Sequence, residues 1–289
     1  MNKEHSLEED VRHGTKEQPM TVMRFAAGPK TYYPDGFFVQ RHWHSGIEMI
    51  KIKKGSYTVE VNLEKFTMRE GDFCIFNSEE LHQIRGNEAV TLHDVIIFQP
   101  QILAFSYEDE VQRELIGPLM SHKDSLVHVM HPGDRGYMEF AAGYERIVAC
   151  GLIQEDGWYY EAKIGVLGLL NQLKKNQMIH PSESMQSAAE KEKIDRYKRV
   201  VSYIEEHYKE KVSLEELAGA AQCNAQYLCH VFKEIAGVPP VRYLIDYRVE
   251  RAKELLQKST QTVLEISLNC GFENVSYFIR QFKRGTGMT

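Results

Sequence analysis

The chain has 289 residues, 43% hydrophobic and 26% charged, enough for two domains that each bury a core. No run of about 18 apolar residues occurs, which excludes a membrane-spanning helix. The net charge of −6 is uneven: residues 194–289 carry 14 Lys and Arg against 12 Asp and Glu, the rest 21 against 29, so only the C-terminal part has a balance that permits nucleic-acid binding.

Residues 1–20 are polar throughout and lack the apolar centre of a signal peptide; they read as a disordered lead-in to a cytoplasmic protein. Five cysteines (Cys74, Cys150, Cys223, Cys229, Cys270) are odd in number and scattered, which fits reduced thiols rather than a disulfide frame or zinc knuckle. From Phe37 to Pro100, short alternating runs are separated by Gly, Asn and Glu-Gly turns: 37–43 (FFVQRHW), 47–55, 56–61, 64–76, 82–86 and 90–98. They predict an all-β sandwich or barrel. Cys74 falls inside one strand as a core residue, and Trp43 on the outer side of another. Beyond Pro100 the texture turns helical. Trp158–Lys175 places Ala162, Val166, Leu169, Leu170 and Leu173 on one helical face, to pack on the barrel or on a second subunit. Residues 176–193 are polar, with Pro and Ser, and read as containing the interdomain linker, at 181–193.

The C-terminal part holds an internal repeat. Asn224-Ala-Gln-Tyr227-Leu228-Cys-His-Val-Phe232-Lys233 recurs as Asn274-Val-Ser-Tyr277-Phe278-Ile-Arg-Gln-Phe282-Lys283. Each copy opens on a helix-capping Asn and puts large apolar residues four apart on an inward face. Each follows a short amphipathic helix (213–221 and 262–269) and a tight turn. This is the helix-turn-helix pattern, present twice. Between the copies a long helix starts at Pro239-Pro240 and runs to about Gln257. Such a rod suits two recognition helices entering successive major grooves, whose repeat is about 34 Å.

These motifs closely resemble the AraC/XylS regulators. The match runs from Ser213-Leu214 and Leu217-Ala218 through Tyr227-Leu228, Phe232-Lys233, Arg248, Ala252, Leu255-Leu256, Ile266 and Gly271-Phe272 to Tyr277-Phe278 and Phe282-Lys283. The family's pattern extends past Thr289 with an element that the first copy carries as Gly237-Val-Pro239-Pro240-Val-Arg-Tyr243. The resemblance implies base-edge reading at Gln226, Cys229 and His230, and at Val275, Ser276 and Arg280, with Lys233, Asn274 and Lys283 on phosphates. It makes Phe232 and Phe282 core.

In the strand region, Gly36-x5-His42-x-His44-x3-Glu48-x6-Gly55 resembles the first motif of the cupin superfamily. The second survives in part as Gly71-x5-Asn77-x-Glu79-x2-His82, with Asn77 and Glu79 where Pro and Gly are usual. Imidazoles plus one carboxylate suit iron, manganese, nickel or zinc. The same four residues, His42, His44, Glu48 and His82, equally suit a pocket for an organic effector, a sugar among the classes the resemblance admits. These two readings, and that of a merely packed barrel, stay open.

The expected fold is α+β and multidomain: a cupin β-barrel with appended helices over 21–180, the linker at 181–193, and an all-α double helix-turn-helix domain over 194–289. The expected function is sequence-specific transcription regulation by a homodimer on double-stranded promoter DNA, under a small-molecule effector, with RNA polymerase as a further partner and no membrane. The alternative is a metal-dependent cupin enzyme, an isomerase or dioxygenase, with a DNA-binding appendage. No nucleophile, phosphate-binding loop or paired acid and base supports catalysis elsewhere in the chain.

Overall fold

The computed structural model describes residues 13–34 and 36–287. Its internal contacts divide the chain between Ala188 and Ala189 into two compact units. Of the polar lead-in, residues 1–12 lie outside the described residues, and the first strand, β1 (Met20–Ala27), starts at its end.

The first unit is built on two antiparallel sheets. One has the order β1-β8-β3-β6-β10, from β1, β8 (Thr91–Phe98), β3 (Ile47–Lys54), β6 (Phe73–Phe76) and β10 (Val129–Met130). The other has the order β2-β7-β4-β5, from β2 (Phe38–His42), β7 (His82–Gly86), β4 (Tyr57–Val61) and β5 (Glu64–Met68). A separate two-strand ladder joins β9 (Asp124–Leu126) to β11 (Ile179–Pro181).

Side chains alternate across a strand, and in the five-stranded sheet both faces are apolar. Ile50 and Ile52 of β3, Val95 and Ile97 of β8, and Cys74 and Phe76 of β6 join Tyr57, Val59 and Ile84 of the opposing sheet in one core. Their neighbours Ile47 and Met49, Ile96 and Phe98, and Phe73 and Ile75 face the other way. There they meet α2 (Tyr137–Ile153) and α3 (Trp158–Lys175), which follow the short α1 (Gly117–Met120). The buried residues of α3 are Ala162, Val166, Leu169, Leu170 and Leu173, the face its periodicity predicts, and it packs against α2 in the same core.

Two expectations need correction. Residues 64–76 form two strands, because Gly71 takes a left-handed φ of 93° in a turn that Asp72 closes by accepting from the Arg69 N–H. Trp43 is 3% exposed; with its neighbour His44 also buried, both sides of the chain are covered where β2 ends, so alternation does not separate inside from outside. The segment 181–193 spans the boundary between the two units and is largely helical. It contains α4 (Ser182–Met185) and the start of α5 (Ala188–His207), whose charged opening turns resemble a linker in composition.

The second unit is all helical. α5 buries Ile194, Tyr197, Val200, Val201 and Ile204. It is followed by α6 (Leu214–Ala220), α7 (Ala225–Ala236), α8 (Pro240–Lys258), α9 (Val263–Asn269) and α10 (Val275–Thr286). The 19-residue α8 spans about 28 Å. Among the described residues, no helix is long and apolar enough to cross a membrane.

Candidate ligand centre and nucleic-acid interface

Strand register assembles the barrel cluster. β2 pairs with β7 so that His42 stands opposite His82. His44 follows two residues later, and Glu48 is the second residue of β3. Ile50 and Ile52, on the same face of β3 as Glu48, point into the core between the sheets. One ligand atom from each of His42, His44, Glu48 and His82 falls within 4.8 Å of every other. His44, Glu48 and His82 are buried, His42 half-buried. The ring of His13, ahead of β1, lies edge-on to His44 at 5.3 Å.

The hydrogen bonds of the three imidazoles fix their chemistry. His42 Nδ1 lies 2.8 Å from Gln40 O, His44 Nδ1 3.1 Å from Gly46 O, and His82 Nδ1 2.7 Å from Glu80 O. A carbonyl oxygen can only accept, so each Nδ1 carries the hydrogen, and Nε2 of a neutral ring is a bare lone pair. His44 Nε2 is 3.1 Å from Glu48 Oε2. His82 Nε2 is 3.4 Å from the same oxygen but without hydrogen-bond geometry, and is left as a buried polar atom with no hydrogen-bond partner. Burial alone would raise the Glu48 carboxyl; His44 and His82 outweigh it and hold Glu48 well below the usual carboxylate range. Lone pairs and a carboxylate gathered in a buried space call for positive charge: protons on the rings, or a cation among them. Three imidazole nitrogens and one carboxylate, each ring oriented by a backbone carbonyl, fit a divalent transition metal.

In the helical unit, Asn224 caps α7 by accepting from the Tyr227 N–H, and Asn274 caps α10 by accepting from the Tyr277 N–H. The preceding helices α6 and α9 both start on capping boxes, Ser213 with Glu216 and Thr262 with Glu265. Gly271 makes the second turn: its φ is 78°, and a Cβ there would meet Tyr208 O at 2.2 Å. Arg248 of α8 donates to Tyr208 O and Glu210 O, which ties the same loop to the central helix. Leu228, Phe232 and Phe278 are buried as expected, whereas Phe282 is only partly buried against its core.

On the opposite faces Gln226, His230 and Lys233 of α7 are exposed, as are Asn274, Ser276, Arg280 and Lys283 at α10. Cys229 and Val275 are half-buried, so part of each is turned to neighbouring residues. Sequence reasoning missed the surroundings of α7 supplied by α5: Lys193 pairs with Glu234, whose other carboxylate oxygen is 3.8 Å from His230 Nδ1. The Arg196 guanidinium lies over the Tyr227 ring. The apolar stripe from Ile194 to Ile204 is the signal that could have placed α5.

A helix-turn-helix domain family matches residues 217–289, and a cupin domain family matches residues 30–96. The HTH-type transcriptional regulator YdeC of Bacillus subtilis is 27% identical over 287 residues, 99% of this chain and 95% of that protein. The HTH-type transcriptional activator RhaS of Escherichia fergusonii is 23% identical over 256 residues, 88% and 86% of the two. Among solved structures, the C-terminal domain of the two-component response regulator yesN from Fusobacterium nucleatum is 33% identical, with a TM-score of 0.31; 33% of this chain covers 99% of it.

Proposed function

Since this chain belongs to the AraC/XylS family of DNA-binding transcription regulators and carries a cupin domain ahead of its helix-turn-helix reader, we propose that it is a one-component sensor whose barrel holds a divalent transition metal. The observation that carries this reading is the set of three imidazoles whose Nδ1 atoms each meet a backbone carbonyl, with one ligand atom from each of His42, His44, Glu48 and His82 within 4.8 Å of every other. His42, His44, Glu48 and His82 would bind the ion. Bound there, it would supply a Lewis acid able to take a small-molecule effector in its remaining positions. An effector that chelates the ion joins two of the readings of the barrel that the sequence leaves open. The barrel residues themselves hold the site: the carbonyls of Gln40, Gly46 and Glu80 orient the rings, and the stacked Phe76 ring, 4.1 Å from His82, keeps water from one side.

In the reader, Gln226, Cys229, His230, Val275, Ser276 and Arg280 are proposed to face base edges, and Lys233, Asn274 and Lys283 phosphates. The exposure of the two capped helices' outer residues supports this assignment. Homodimerisation through the outer face of α3 is supported by Tyr160 and Ile164, 74% and 73% exposed. The test is fluorescence anisotropy on a genomic site selected by the full-length protein, with added Zn2+ and after chelation. An affinity that responds to the ion supports metal sensing; protein that binds no transition metal by elemental analysis rules it out.

A further inference from the structure

Asn77 stands where the related motif carries proline, and its side chain does what a proline cannot. Its Nδ2 donates to Leu126 O at 3.0 Å, and its Oδ1 accepts from Leu126 N at 2.7 Å. This paired amide joins residues 49 apart in sequence and is buried, so water does not compete for it. On one side the Asn77 backbone N–H and Nδ2 donate to Glu80 Oε2, while Glu80 Oε1 meets His128 Nε2 at 2.9 Å. The Glu80 carbonyl accepts the Nδ1 hydrogen of His82, and Phe76, the residue before Asn77, stacks on the His82 ring. On the other side Leu126 is the register partner of Ile179 in β11. Ser182, the residue after β11, donates its N–H to Lys123 O at 2.8 Å and shares a 2.7 Å hydroxyl contact with Ser125. Six residues beyond Ser182 the chain enters α5, at the start of the reader unit.

We propose that Asn77 is a positioning residue through which occupancy of the His42, His44, Glu48 and His82 cluster is transmitted to β11 and the segment leading to the reader. The inference rests on the metal-sensing reading above. An ion that draws in His82 Nε2 pulls on the Glu80 carbonyl through the opposite ring nitrogen. Glu80 cannot yield alone, because its carboxylate is held by Asn77 and His128. The paired amide then carries the displacement to Leu126 and the β9–β11 ladder. A contiguous, hydrogen-bonded network of this kind is one physical form of coupling between sites, and its strength is read as a ratio of affinities.

The experiment measures DNA affinity of the full chain with and without Zn2+, and Zn2+ affinity by competition with a chromophoric chelator. In Asn77→Ala the Zn2+-dependent ratio of DNA affinities is expected to fall to about one, with Zn2+ affinity and metal-free DNA affinity each within about threefold of wild type. A purely structural amide would lower the melting temperature and leave the ratio alone. Ser182→Pro guards against an unfolded Asn77 variant: it removes both bonds to the 123–125 segment at a helix N1 position where proline is tolerated. Its ratio is expected to fall at least threefold while the cluster stays untouched. A folded, Zn2+-binding variant of either kind that keeps the wild-type ratio overturns the inference. A wild-type ratio of one removes the metal-sensing reading itself, and the inference with it.

Discussion

His42 and His82 face each other across the β2–β7 ladder with ring centroids 4.2 Å apart, each with its Nδ1 against a backbone carbonyl. Their separation is set by strand register, with a register shift between Val39 and His42 adjusting the last step of β2. Three of the four cluster residues lie within strands, and His44 lies two residues beyond one, so the centre is held by the sheets and not by long loops. A centre of that kind holds its geometry before any ligand arrives.

Replacing Glu48 with Gln keeps the volume and removes the only anionic group among the four. Changes in groups that merely orient ligands cost about 10–100-fold in metal affinity. Loss of the carboxylate itself should therefore weaken Zn2+ binding by more than about 100-fold. Isothermal titration reads this directly. In parallel, a chelator should lower the melting temperature of the wild-type barrel and leave that of Glu48→Gln unchanged.

Much of this arrangement is legible in the residues, and the exceptions share a cause. The bounds of α3 follow from a 3.6-residue apolar stripe with no competing signal, and Asn224 and Asn274 mark both recognition helices because only a short polar side chain caps that way. The His and Glu spacing identified the cluster, but not how each ring is held, since the carbonyls that accept from Nδ1 belong to whichever residues the turns bring near. β1 escaped because it adjoins the polar lead-in, and α5 because Ala-Ala-Glu-Lys-Glu-Lys precedes its first buried residue, Ile194. Trp43 was misplaced because alternation reports two faces without saying whether both are covered.

His93 supplies a pH signature of the barrel. It is 1% exposed, 2.8 Å from the Tyr57 hydroxyl and ringed by Phe25 and Phe37. Burial lowers its imidazole to about 4, against smaller raising effects of Glu48 and Asp94. The unfolded chain takes up this proton near pH 6.5 and the native barrel only near 4. Its contribution is therefore complete above pH 6.5 and is lost as pH falls toward 4, by up to about 3 kcal/mol. Both tryptophans, Trp43 and Trp158, lie in the barrel unit, so urea unfolding followed by their fluorescence isolates it. In His93→Gln the slope between pH 6.5 and 4 should be markedly shallower; an unchanged slope would assign it to other groups.

Arg280 and Lys283 share the exposed side of α10 but have different expected tasks. Arg280→Ala should lose about 1–3 kcal/mol on the selected site and relax preference at one base pair. Lys283→Ala should weaken specific and random duplexes alike, and reduce the salt slope by about 0.9. Anisotropy titrations at several salt concentrations separate the two. Equal losses on both duplexes for Arg280→Ala would move base reading away from that position.

Asn274 combines two roles that one substitution can split. Its Oδ1 is engaged as the α10 cap at 2.9 Å from Tyr277 N, which leaves its amide hydrogens for a phosphate. Asn274→Asp keeps a capping oxygen and should leave the thermal midpoint of the reader nearly unchanged, while placing an anion at the DNA backbone and weakening binding. Asn274→Ala should in addition cost about 1 kcal/mol of stability. If Asp and Ala bind DNA as well as wild type, the phosphate contact is absent.

The start of α5 decides where the reader can be cut free. A fragment beginning at Ile194 leaves that 4%-exposed residue in a fraying terminal turn and deletes Lys193, the partner of Glu234. A fragment from Ser187 keeps both. Fraying of one buried aliphatic side chain is worth about 1.5–3 kcal/mol when complete, and an exposed ion pair at most about 1. The shorter fragment should therefore be about 1–2 kcal/mol less stable by urea denaturation followed by circular dichroism, since fraying is partial. Because Lys193 restrains Glu234 and Glu234 lies near His230, it should also bind DNA more weakly than the longer one. Both should be monomeric by sedimentation, as the proposed dimer surface lies on α3. Equal stability of the two fragments would show that the first turns of α5 contribute nothing to the reader, and a dimeric fragment would place self-association in the helical unit.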